Sequence, residues 1–97
     1  MIAAMREPEE SPAMSRLSDD PARGRYELEV EGEVVFARYR RDGTRLIIDH
    51  VEAPPSLRGT GAAGRFMEAL VADAREKGLT LVPVCSYAAH WLRRHPR

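Results

Sequence analysis

Pro54-Pro55-Ser56-Leu57-Arg58-Gly59-Thr60-Gly61-Ala62-Ala63-Gly64-Arg65 is the stretch on which the reading of this chain turns. Two prolines end the preceding strand, because proline cannot donate to a ladder. The glycines at 59, 61 and 64 then make a turn that feeds directly into an amphipathic run. In that run Ala63, Phe66, Met67, Leu70, Val71 and Ala74 recur at three- and four-residue spacing, while Arg65, Glu68, Asp73, Arg75 and Glu76 line the other side. Gly78 is placed to terminate the helix in the left-handed conformation. A glycine-rich turn that opens a helix presents unpaired backbone N–H groups at the positive end of the helix dipole. With Arg58 beside them, these groups predict an anion site, best suited to a phosphate.

Upstream the pattern is β. Tyr26, Leu28 and Val30 alternate with Glu27 and Glu29, Glu31-Gly32-Glu33 turns, and Val34 to Arg40 follows as a second strand. Asp42-Gly43 signals a tight hairpin into a third strand, Arg45 to Val51, which completes an antiparallel meander. Downstream, Leu79 to Val84 reads as a buried strand beside the third, and the helix between them makes that pair parallel. A short helix from Tyr87 to Arg94 ends before Pro96. The expected fold is α/β in the α+β sense: a mixed, mainly antiparallel four-stranded sheet with one long helix and a short C-terminal helix. Apolar residues on both faces of the second and fourth strands predict that the second face of the sheet is partly covered.

The 97 residues fit one domain and carry no net formal charge, so the whole chain gives no signal for nucleic acid or membrane. Residues 1–22 hold Pro8, Pro12 and Pro21 among serines and acidic residues without apolar periodicity, which predicts a disordered tail ahead of a domain at 23–97. Residues 1–20 balance to −3 and the remainder to +3, a mild excess that suits an anionic ligand. One cysteine makes no internal disulfide, no apolar run is long enough to span a bilayer, and the N-terminus is a poor secretory signal, so a cytoplasmic location is expected.

Arg58-Gly59-Thr60-Gly61-Ala62-Ala63 resembles the Gln/Arg-x-x-Gly-x-Gly/Ala signature of the GNAT superfamily of acetyl-CoA-dependent N-acetyltransferases. Ser86-x-x-Ala89-x-Trp91-Leu92-x-Arg94 is loosely similar to that superfamily's next motif. His50-Val51-Glu52-Ala53-Pro54-Pro55-Ser56-Leu57-Arg58-Gly59-Thr60-Gly61, Val82-Pro83-Val84-Cys85-Ser86 and Arg93-Arg94-His95-Pro96 together resemble a minimal GNAT-like subfamily, over roughly residues 25–97. The resemblance implies a reduced GNAT fold without the two N-terminal helices that normally help build the acceptor site. It also implies that Arg58, Gly59, Thr60, Gly61, Ala62 and Ala63 bind the pyrophosphate of acetyl-CoA or coenzyme A, with transfer of acetyl to an unidentified amine.

Two chemistries stand open at the reacting end. Cys85, just after the fourth strand, is read from its residue type as a small buried side chain, and from the resemblance as a nucleophile that carries acetyl as a thioester with His50 as its imidazole partner. Glu52 shares a strand face with His50; by residue type it reads as a solvated strand-end charge, and the resemblance implies that a carboxylate there removes the proton from the amine. Tyr87 is a candidate proton donor to the departing thiolate, and a candidate anchor for the last helix. His90 and His95 lack ligand spacing, so no metal is proposed. Arg93, Arg94 and Arg97 read as a solvated helix end or as contacts to the 3′-phosphate, and Trp91 reads as core. A non-catalytic coenzyme A or acyl-CoA binding module, or an interaction domain, is the alternative, with a monomer or weak homodimer as the expected state.

Overall fold

The structure, a computed structural model, describes residues 17–95. Its elements follow as β1 (Ser18–Asp20), β2 (Arg25–Val30), β3 (Glu33–Asp42), β4 (Arg45–Glu52), α1 (Ala62–Glu76), β5 (Thr80–Pro83) and α2 (Ser86–Arg94). A 3₁₀ turn at Pro55–Leu57 leads from β4 toward α1. Strand order in the sheet follows the chain, antiparallel throughout except for the parallel β4–β5 pair. The meander, the crossover helix and the parallel return strand lie where alternation and turn residues put them. Between β2 and β3, Glu31 and Gly32 both take positive φ (53° and 79°), which lets a two-residue loop match the twist of its flanking strands.

The sheet has five strands where four were expected. Ser18–Asp20 falls inside the stretch read as tail, yet it pairs antiparallel with β2. Its sequence, Ser-Asp-Asp, has no apolar alternation to mark a strand, and its hold comes from contacts far along the chain. Asp19 accepts a hydrogen bond from the Tyr39 hydroxyl and pairs with Lys77 Nζ at 2.9 Å, while Leu17 packs on the core. Residues 18–20 of the expected tail are thus paired into the sheet, and positions 1–16 of it lie outside the described residues.

One face of the sheet forms the core. Tyr26, Leu28 and Val30 from β2, Val35, Ala37 and Tyr39 from β3, and Leu46 and Ile48 from β4 are all buried, together with Phe66, Met67, Leu70, Val71 and Ala74 of α1. Each large apolar side chain contributes about 1.5–3 kcal/mol by leaving water, so this layer is what joins sheet and helices. α2 lies beside α1: Ala88 and Trp91 join the same cluster, and Trp91 Nε1 is 3.7 Å from where a Cβ on Gly64 would stand.

The opposite face carries Arg25, Glu27, Val34, Phe36, Arg38, Arg40, Ile47, His50 and Glu52, and none of these is buried. The partial cover expected there is not supplied by the described residues. Val34 stays 40 % exposed, and Phe36 is shielded by the Arg25 guanidinium 3.8 Å above its ring.

A bulge decides which β4 side chains reach this face. Arg38 pairs with His50 but Tyr39 pairs with Ile48, so Asp49 has no partner across the ladder. Strict alternation from Leu46 and Ile48 would send His50 and Glu52 into the core. The extra residue reverses the phase, turning them to the open face and Val51 inward opposite Ala37. Arg40 clips the bulge with two hydrogen bonds to Asp49, Nε at 2.7 Å and Nη2 at 2.8 Å.

Candidate active site

The β4–β5 ladder ends at Ile48 opposite Pro83. The N–H groups of Val84 and Cys85 both donate to the Ile48 carbonyl, at 3.0 and 2.9 Å, and the chain then turns into α2 with Cys85 as its N-cap. β4 runs on to Glu52 without a partner from β5. The strands part, and a cleft of about 380 Å³ opens there, lined by His50, Val51, Glu52, Ala53, Arg58, Ala63 and Tyr87.

The glycine turn contributes Arg58 and Ala63 to that lining. Gly59 and Gly61 sit at φ 81° and 85°, a region where an L side chain is strained. Several N–H groups of the turn are already used: Arg58 donates to Pro55 O (3.2 Å), Thr60 to Leu57 O (3.2 Å), and Ala62 to the Thr60 hydroxyl (3.3 Å). The Thr60 hydroxyl itself donates to Leu57 O, so this residue ties the turn together. The first intrahelical bond is Arg65 N–H to Gly61 O. The N–H groups of Gly59, Gly61, Ala63 and Gly64 have no partner among the described residues. Of the six consecutive residues Arg58 to Ala63 expected to form a cradle, Gly59, Gly61 and Ala63 keep an N–H without a partner among the described residues, as does Gly64. Arg65 Nη1 comes to 3.7 Å from the place of a Cβ on Gly61.

In the same lining, His50 Nε2 and Glu52 Oε1 are 2.9 Å apart. The hydrogen bond to His50 holds the Glu52 carboxyl below its ordinary range against a smaller opposing effect of desolvation, and the charges of Arg58 and Arg38 act in the same direction as His50. Glu52 is therefore a carboxylate across the neutral range. Tyr87 is 38 % exposed, and partial burial raises its hydroxyl pKa, so it keeps its proton.

The structure thus brings His50, Glu52, Arg58, Ala63 and Tyr87 into one cleft. Cys85 is not in the lining; it is half-buried, packs against the core cluster, and its thiol makes no hydrogen bond among the described residues, to His50 or otherwise. Trp91 is buried as expected, with His95 stacked on it at 4.0 Å. Arg93 and Arg94 are exposed, and Arg97 lies outside the described residues.

The profile of the GCN5-related N-acetyl-transferase family matches residues 25–97. The chain belongs to this family. Among solved structures, it is similar to the NMR solution structure of a GCN5-like candidate N-acetyltransferase from Staphylococcus aureus, with 26 % identity and a TM-score of 0.62 over 80 % of this chain and 78 % of that one. No curated protein matches. Membership fits the parted β4–β5 pair and the glycine turn after β4. Among the described residues no helix is long and apolar enough to cross a membrane, and no cluster of His, Cys, Asp and Glu is suited to a metal ion.

Proposed function

We propose that this member of the GCN5-related family binds acetyl-CoA in the β4–β5 cleft and transfers acetyl to an amine. The observation that carries the reading is the meeting, in one cleft, of Arg58 and Ala63, from the turn that holds the unpartnered N–H donors, with the His50–Glu52 pair. The fit to the cofactor rests on that donor set: N–H groups at a helix N-terminus and a guanidinium suit a pyrophosphate, and the glycines leave room for close approach. Gly59, Gly61, Ala63 and Gly64 with Arg58 would hold the pyrophosphate, and the unpaired edge of β4 would face the pantetheine arm. When bound, the thioester of acetyl-CoA supplies an activated acetyl group.

The chain's own residues move the protons. Glu52, held by His50, takes the proton that an acceptor amine must lose to react. Tyr87 supplies one to the departing sulfur. Cys85 is not among the cleft's lining residues, and direct transfer uses no acyl relay through it. Titration with coenzyme A should shift the amide signals of Gly59–Gly64, and acetyl-CoA with an acceptor should release free thiol in Cys85→Ala as in the parent. An acetyl adduct mapped to Cys85, with turnover lost in Cys85→Ala, would move the chemistry to the thioester route. Binding without turnover over a panel of amines would leave a coenzyme A binding module.

A further inference from the structure

We infer that the chain binds a small monocarboxylate with an apolar chain in a groove between α1, β5 and α2, apart from the cleft at the β4–β5 end. The groove holds about 320 Å³ and has no lining residue in common with that cleft. A volume near the lower end of the roughly 300–1,000 Å³ usual for small-molecule sites sets the size of the ligand. Its α1 residues begin at Val71, two turns past the Ala63 of the cleft, or roughly 12 Å along the helix axis. The inference therefore does not depend on the acetyl-transfer reading.

Most of the lining is apolar. Val71 and Ala74 of α1 are buried, at 2 % and 0 % exposure. Leu79, Leu81 and Leu92 come from the connection after α1, from β5 and from α2; each packs on the core yet is only half-buried. β5 is the edge strand of the sheet among the described residues, so no further strand covers these leucines. An apolar chain laid among them leaves water, and each CH₂ group so buried strengthens binding by roughly fourfold.

The charge of the ligand follows from the two polar side chains of the groove, Arg75 and His95. Arg23, Arg25 and Arg40 are paired with carboxylates, whereas Arg75 makes no ion pair among the described residues. His95 is held in place: its ring stacks on Trp91 at 4.0 Å, and its Nδ1–H donates to the Trp91 carbonyl at 2.9 Å. Its Nε2 is left without a partner among the described residues. A guanidinium presents paired N–H donors that match the two oxygens of a carboxylate, and one permanent cation balances one negative charge. An anionic head on an apolar body satisfies both parts of the lining.

The full chain is titrated with octanoate, with butyrate as a shorter acid and with 1-octanol as an uncharged analogue, and its amide signals are followed by NMR. Octanoate should move the signals of Arg75, Leu81 and Leu92 with a dissociation constant of roughly 0.1–1 mM, while Gly59–Gly64 stay in place. Butyrate and 1-octanol should each bind at least about tenfold more weakly. Arg75→Gln, at an exposed helix position, should weaken octanoate about tenfold and leave 1-octanol binding and the melting temperature unchanged. Octanoate that moves none of the three signals, or that binds Arg75→Gln as tightly as the parent, would overturn the inference. So would shifts confined to Gly59–Gly64, which would put the acid in the β4–β5 cleft. Cross-relaxation in the free chain between the Leu81 or Leu92 methyl groups and residues 1–16, or a dimer in sedimentation with these leucines at its interface, would assign the groove to the chain itself and overturn the inference as well.

Discussion

The two ends of the sheet are built by opposite rules. At the β1–β2 end, the polar groups that face α1 find partners within the chain. The Tyr26 hydroxyl donates to Asp73 at 2.6 Å, the Tyr39 hydroxyl donates to Asp19, and Lys77 bridges both carboxylates at 2.9 and 2.8 Å. The Tyr26 and Tyr39 rings lie 5.1 Å apart beneath them. At the β4–β5 end the ladder stops, four N–H groups point at no partner among the described residues, and a carboxylate stands half in solvent. Groups whose hydrogen bonds are met within the chain, two of them on buried tyrosines, resist opening, whereas unsatisfied groups around a cleft are what a ligand can satisfy. The comparison teaches a division of labour: one end holds the chain together, and the other is left for binding.

The largest break between the ends should come from Glu52→Gln. The amide keeps the shape and a hydrogen-bonding oxygen for His50 but cannot take a proton at neutral pH. Acetyl transfer, followed as thiol release, should fall by about 100-fold or more. Stability should barely move, because an exposed pair of this kind contributes only about 0–1 kcal/mol. A melting temperature that fell along with the activity would show that the cleft is part of the scaffold.

Asp73→Ala should do the reverse. It removes the acceptor of Tyr26, which is 1 % exposed, and one of two carboxylates that hold Lys77. Leaving that hydroxyl unsatisfied costs about 2 kcal/mol, or roughly 10 °C in melting temperature for a domain of this size. Coenzyme A affinity at 25 °C should be unchanged, and a parallel loss of affinity would couple the two ends.

The cleft end was the more legible one in the sequence, for a physical reason. Gly59, Gly61 and Pro54-Pro55 act on their own backbone, so their effect can be read within a dozen residues. His50 and Glu52 were read correctly as sharing a strand face, but which face was hidden: that depends on Asp49 having no partner across the ladder, a property of two strands and not of one. β1 was invisible for a similar reason. Ser18-Asp19-Asp20 is a strand because Tyr39 and Lys77, twenty and fifty-eight residues away, reach Asp19. Cys85 was placed correctly after the last strand, but its position outside the cleft lining follows from the way the N–H groups of Val84 and Cys85 converge on Ile48, which no local pattern announces.

A smaller effect is expected from Gly61→Ala, which separates the shape of the turn from its neighbours. A Cβ on Gly61 would meet only Arg65 Nη1, at an ordinary 3.7 Å, so the cost is conformational: at φ 85° it is about 1 kcal/mol. Relaxing that strain would turn the Gly61 N–H, so coenzyme A affinity should fall by roughly tenfold, a loss of about one hydrogen bond to a charged group. Calorimetric titration reads the affinity and urea unfolding the stability. Unchanged affinity would show that this N–H plays no part in binding the pyrophosphate.

The smallest effect expected near neutral pH, and the most selective for the buried end, is its response to alkali. Burial raises the pKa of Tyr26 and Tyr39, and their hydrogen bonds to Asp73 and Asp19 raise it further; the same two carboxylates raise Lys77. All three groups hold their protons more tightly folded than unfolded. Their contribution to stability is therefore complete below the unfolded values of about 10 and is lost as pH rises above them toward the folded values. The urea midpoint should stay level through neutral pH and decline above about pH 10. Tyr39→Phe removes one of these protons and should make the decline shallower, at a cost near neutral pH of about 1 kcal/mol or less. Glu52→Gln, at the other end, should leave the slope as it is, because the Glu52 carboxyl is already ionised far below this range. If Glu52→Gln changed the alkaline slope while Tyr39→Phe did not, the assignment of stability to one end and ligand to the other would be reversed.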